Sequence, residues 1–88
     1  MSEVFALMYG CVDLEEEVVH QLYATHGLAL KHARRCAEEV VSDNFADYAE
    51  ITIKDTVDSD GNNVVIIATP SNEETEWWRV VTMKVWER

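Results

Sequence analysis

Apolar residues recur at helical spacing most clearly in one stretch of this chain, and most of the remainder repeats at strand spacing. From His26 to Val41, Leu30, Ala33, Ala37, Val40 and Val41 fall on one helical face, with Lys31, Arg35, Glu38 and Glu39 opposite. Thr25 stands just before it with a side chain suited to N-capping. A chain with one helix and several strands has few ways to bury itself. The strands form a sheet, and the helix covers one face. At 88 residues the chain makes one domain and buries roughly 60–65% of its unfolded surface.

The strands follow from the apolar runs. Val4 to Val12 (VFALMYGCV) is nearly continuous and suits a central strand. Asp13 to Glu17 is an acidic break. Val18 to Ala24 has two readings. As a strand it pairs back on the first run. As a helix it places Leu14, Val18 and Leu22 one turn apart, with Asp13 and Glu16 in a capping-box pattern. The β-formers Val18, Val19 and Tyr23 favour the strand.

Ile51 to Ala68 predicts a hairpin. A two-residue Asp60-Gly61 turn sets Val57 opposite Val64, Asp55 opposite Ile66 and Ile53 opposite Ala68, whereas Asn62 or Asn63 would shift the turn by one residue. Pro70 to Glu76 reads as a polar loop, and Trp77 to Arg88 as a long final strand with large apolar groups on both faces.

The expectation is therefore one α+β domain over residues 1–88, in the order β-β-α-β-β-β. It is a single antiparallel sheet of about five strands packed on one helix. Leu30, Ala33, Ala37, Val40, Ile53 and Val64 are expected to be buried. Tyr9, Tyr23, Val65, Ile67, Trp78 and Trp86 are expected on the side the helix leaves uncovered, where an exposed apolar patch would mark an interface.

The run VFALMYG, then VVHQLYATHGLALKHA with its Tyr23-Ala24-Thr25 step into the helix, then a Trp-rich closing strand, resembles small uncharacterised α+β proteins encoded by bacteriophages and mobile elements. The resemblance covers about two thirds of the chain. It implies a fold and a genomic setting, and carries over no activity or site residue.

Charge limits the function classes. Seventeen acidic residues against seven basic ones give a net charge of -10, yet 48% of residues are hydrophobic. A disordered acidic tail has such charge without such apolar content. A surface this negative repels nucleic acid and anionic membranes and attracts basic proteins. No apolar run approaches the ~18 residues of a membrane span. The N-terminus MSEVFALMYG lacks a basic start, so a cytoplasmic setting with reduced Cys11 and Cys36 is expected.

No motif for catalysis stands out, and neither an enzyme nor a cofactor or metal is expected. His32 and Cys36 sit one turn apart, half of a zinc site that Cys11, His20 and His26 would have to complete. Asp55, Asp58, Asp60 and Gly61 look like part of a calcium loop, but Thr56 and Ile67 stand where ligands belong. A hairpin turn explains them better.

What remains is the acidic surface. Asp55, Asp58, Asp60, Glu73, Glu74 and Glu76, together with Trp78, are the expected partner-binding residues. They flank one hairpin and the loop into the aromatic strand. The leading expectation is a protein-binding module that occupies the basic, nucleic-acid-binding surface of another protein. With the phage-like resemblance, that becomes an inhibitor of a host defence protein. It would bind neither nucleic acid directly nor membrane. The alternative is a structural or assembly protein, a homo-oligomer joined through an exposed sheet face, with its charge serving solubility.

Overall fold

A computed structural model describes residues 2–44, 51–68 and 74–85. The elements are β1 (Ser2–Cys11), β2 (Val18–Tyr23), α1 (His26–Asn44), β3 (Thr52–Val57), β4 (Asn63–Ala68) and β5 (Glu74–Val85). They form an α+β fold with one five-stranded sheet in the order β2-β1-β5-β4-β3. Every pairing in it is antiparallel.

The topology follows from the path of the chain. A β1–β2 hairpin builds one edge. Helix α1 then carries the chain to the other edge, and β3, β4 and β5 return toward the centre. There β5 pairs with β1 along its whole length, from Ser2 opposite Val85 to Cys11 opposite Glu76. The long apolar strand β1 is thus flanked on both sides, as its composition requires.

Asp13 to Tyr23 contains a strand rather than a helix. A bulge at His20 lets both Leu22 and Val19 fall on the helix-free side, opposite Ala6 and Met8. Thr25 caps α1 as expected: its Oγ1 accepts from the Leu28 N–H at 3.2 Å, and its carbonyl accepts from the Ala29 N–H at 3.2 Å. The centre of the buried helix face is Ala29, Ala33 and Ala37, all fully buried. These small side chains let the backbone lie close to the sheet. Leu30 and Val40, expected to be buried, flank this stripe and are only half-buried.

The hairpin register differs from the two-residue turn by one position. Ser59, Asp60 and Gly61 form a three-residue loop, in which Gly61 has φ 86° and its N–H reaches the Asp58 carbonyl at 3.1 Å. Only glycine takes that left-handed backbone readily. The pairing becomes Val57 with Asn63, Asp55 with Val65 and Ile53 with Ile67. A shift of one residue moves β3 to the opposite face of β4. Ile53 therefore lies on the helix side, but α1 packs over β5, β4, β1 and β2. On the outermost strand Ile53 stays 38% exposed, which corrects its expected burial.

The assignment of faces is also corrected. Tyr9, Tyr23, Val65, Ile67 and Trp78 lie in or against the core with Leu7, Val80 and the helix alanines. They are on the helix-covered side. Trp86 lies outside the described residues. The helix-free side carries Ala6, Val64, Ile66 and Ala68, all buried. Trp77 and Arg79 pair across from Ile66 and Val64 on that side. No described helix is long and apolar enough to cross a membrane.

Candidate functional site

The described members of the expected partner-binding set do not share one surface. Asp55 points to the helix side, where its Oδ1 accepts from Arg34 Nε at 3.3 Å, with both side chains about half exposed. Asp58 is used inside the fold. Its Oδ1 accepts from the N–H groups of Asp60 and Asn62, each at 2.9 Å. Its other oxygen meets Arg79 on the helix-free side. The Asn62 N–H, and next the Arg79 guanidinium, hold the Asp58 carboxyl below the usual aspartate range.

Asp60 is exposed at the hairpin tip. Glu74 pairs with Ala68, at the far end of β4 from that tip. Glu73 lies outside the described residues. Trp78 is 3% exposed, so it is packed beneath the helix and leaves only a sliver of its ring in the lining of a cleft. Strand alternation explains this, since Trp78 stands beside Tyr9 and Val65 beneath the helix.

On the helix-free side, a polar clamp lies over the part of the sheet around Val64 and Ile66. The Trp77 indole N–H donates to Glu17 Oε2 at 2.7 Å. Arg79 Nε donates to Glu17 Oε1 at 3.2 Å and to Oε2 at 3.0 Å, and its Nη1 reaches Asp58. Burial disfavours the Arg79 charge, but the bonds to Glu17 and Asp58 outweigh it and raise its pKa. This clamp ties the β1–β2 loop and the β3–β4 hairpin tip to β5. It is structural, and leaves these carboxylates already engaged.

A different acidic region is open. Between the C-terminal half of α1 and strands β1, β2 and β5 lies a cleft of about 360 Å³. Glu39 and Asp43, one helical turn apart, line its helix side, and Glu76 lines the β5 side. Tyr9, Val40 and Trp78 supply apolar surface. The Tyr9 and Trp78 rings pack with centroids 5.4 Å apart. The Tyr9 hydroxyl donates to Glu76 Oε1 at 2.5 Å. Burial, reinforced by that bond, pushes the Tyr9 pKa well above the ordinary tyrosine value.

His20 and Cys36 complete the lining, with Sγ and Nε2 4.0 Å apart. Burial and then the nearby Glu39 charge raise the Cys36 pKa, which keeps it a thiol rather than a nucleophilic thiolate. His32 instead packs on Tyr23, with ring centroids 4.9 Å apart, and does not join Cys36. Among the described residues, no group of three His, Cys, Asp or Glu side chains is placed to hold a metal.

Of the expected site residues that are described, only Glu76 and the buried Trp78 belong to this cleft. Sequence reading missed Glu39 and Asp43 as site residues, although one signal pointed to them. Glu38, Glu39 and Asp43 crowd the C-terminal end of the helix while Lys31, Arg34 and Arg35 come early. That order opposes the helix dipole. Compared with family models, with curated proteins and with solved structures, the chain matches none.

Proposed function

We propose that this protein is a small acidic binding module that occupies a basic surface on a protein partner, a surface whose ordinary ligand is nucleic acid. One observation carries the reading. A cleft edged by Glu39, Asp43 and Glu76 has no lysine or arginine among the described residues of its lining, on a chain of net charge -10. Carboxylates held on a helix and a strand attract cationic groups and steer their approach. In the form implied by the resemblance to phage proteins, the module is an inhibitor of a host defence protein that acts on nucleic acid.

The test is capture of partners from a host lysate, followed by competition. The expected result is a basic protein whose retention falls with added salt and which is displaced by DNA or RNA. Screening at physiological salt acts beyond about 8 Å, so steering weakens before close contacts do. A stable homo-oligomer by light scattering, with no salt-sensitive partner, would replace this reading with self-assembly through the sheet.

A further inference from the structure

The cleft combines two kinds of surface. Tyr9, Val40 and Trp78 make it apolar, while Glu39, Asp43 and Glu76 edge it with charge. A separate feature adds to the same potential. The last turn of α1 carries no basic residue, so the negative end of the helix dipole reinforces Asp43 instead of being offset. This arrangement costs helix stability, and it adds negative potential beside Asp43 in the cleft lining.

The chemistry of an occupant follows. An anion is repelled. A metal ion lacks a ligand set among the described residues. A cation carried on an apolar stem matches both surfaces at once. The volume, about 360 Å³, falls at the small end of ligand pockets, which run from roughly 300 to 1,000 Å³.

We infer that this cleft receives an arginine side chain of the protein partner, its methylene stem against Tyr9 and Val40 and its guanidinium between the helix carboxylates and Glu76. Arginine suits the cleft better than lysine for two reasons. Its planar fork of donors reaches carboxylates on both walls together, and it packs on aromatic rings. The Tyr9 hydroxyl, bonded to Glu76 Oε1, fixes the strand-side carboxylate in place. This inference rests on the basic-partner reading and names the group that anchors it.

The experiment titrates the ¹⁵N-labelled protein with the peptide acetyl-Gly-Arg-Gly-amide, its lysine counterpart and its glutamate counterpart. Two double variants are compared: Glu39→Gln with Asp43→Asn in the cleft, and Glu15→Gln with Glu16→Gln in the β1–β2 loop. Both remove two charges. The expected result is saturable shifts at Tyr9, Glu39, Asp43 and Glu76, strongest with arginine and absent with glutamate. The cleft variant should weaken the arginine peptide about tenfold, and the loop variant less than about twofold, a tenfold change being about 1.4 kcal/mol.

Thermal melts give the second readout. Asp43→Asn should raise the melting temperature while weakening binding, because it relieves the helix end. A merely structural carboxylate would lose both together. Equal weakening by the two double variants overturns the cleft and leaves the basic-partner reading standing. No shift at all with the arginine peptide also overturns it. Shifts that track protein concentration instead of peptide assign the cleft to a second copy of this chain, and overturn both.

Discussion

Both faces of the sheet are apolar along the strands, yet they are covered by different means. Beneath α1, Leu7, Val65, Ile67, Trp78 and Val80 pack against an alanine stripe. On the other side, Val64 and Ile66 are 4% and 8% exposed without a helix above them. There Trp77 lies across Gly10, so closely that a Cβ at residue 10 would overlap the indole ring. Arg79 lies beside it, pinned by Glu17 and Asp58. The covered face depends on apolar packing. The other face depends on one aromatic ring and one clamped cation, whose aliphatic stem can cover apolar neighbours. Two long side chains fixed flat thus cover the β4 part of the second face, while toward the β1–β2 edge Val19, Leu22 and Met83 stay 54%, 53% and 44% exposed.

The largest effect should come from the covered face. Trp78→Ala should cost about 3–5 kcal/mol of unfolding free energy, as for other large buried aromatics. Chemical denaturation measures it, and a loss under about 1 kcal/mol would put the main core elsewhere.

Gly10→Val should come next, at about 1–3 kcal/mol, because the new side chain must displace Trp77. Adding Trp77→Ala should recover part of that loss. A double-mutant cycle reads the coupling, and strictly additive effects would mean the ring does not rest on Gly10.

Glu17→Ala should cost less, about 1 kcal/mol, since its bonds to Trp77 and Arg79 are partly exposed to solvent. Near-ultraviolet circular dichroism should report a freed Trp77 in this variant. An unchanged aromatic spectrum would contradict the clamp.

The smallest effect concerns the shape of the acid limb. The folded pKa of Asp58 is lowered, so the unfolded chain takes up the proton first as pH falls. The contribution of Asp58 to stability is present above the ordinary aspartate pKa of about 3.9 and is lost below it. Asp58→Asn should flatten the stability curve in that window. An unchanged acid slope would remove Asp58 from the clamp.

Much of the scaffold was legible in the residues. The β-formers of Val18 to Tyr23 gave a strand, Thr25 gave the cap, and the run from Val4 gave a central strand. Legibility failed where one residue decides a whole face. Asp60-Gly61 reads equally well as a two- or three-residue loop, and choosing between them reverses which side Ile53 and Val57 occupy. Trp77 and Trp78 are adjacent and identical, so composition cannot say which one is under the helix. The candidate cleft was harder still. Glu39 and Asp43 are separated from Glu76 by more than thirty positions, and nothing local links them.

The sequence by itself determined the element order, the single antiparallel sheet, the capped helix and the strongly negative surface. These depend on local spacing, capping chemistry and summed charge. Tertiary structure decided which face of each strand is covered and which carboxylates are spent. Asp58 and Glu17 are engaged on Arg79, and Asp55 on Arg34. Glu39, Asp43 and Glu76 meet around a cleft because β5 returns to pair with β1 under the helix. The physical reason is that alternation along a strand is local, whereas the partner of a side chain is set by register between strands far apart in the chain.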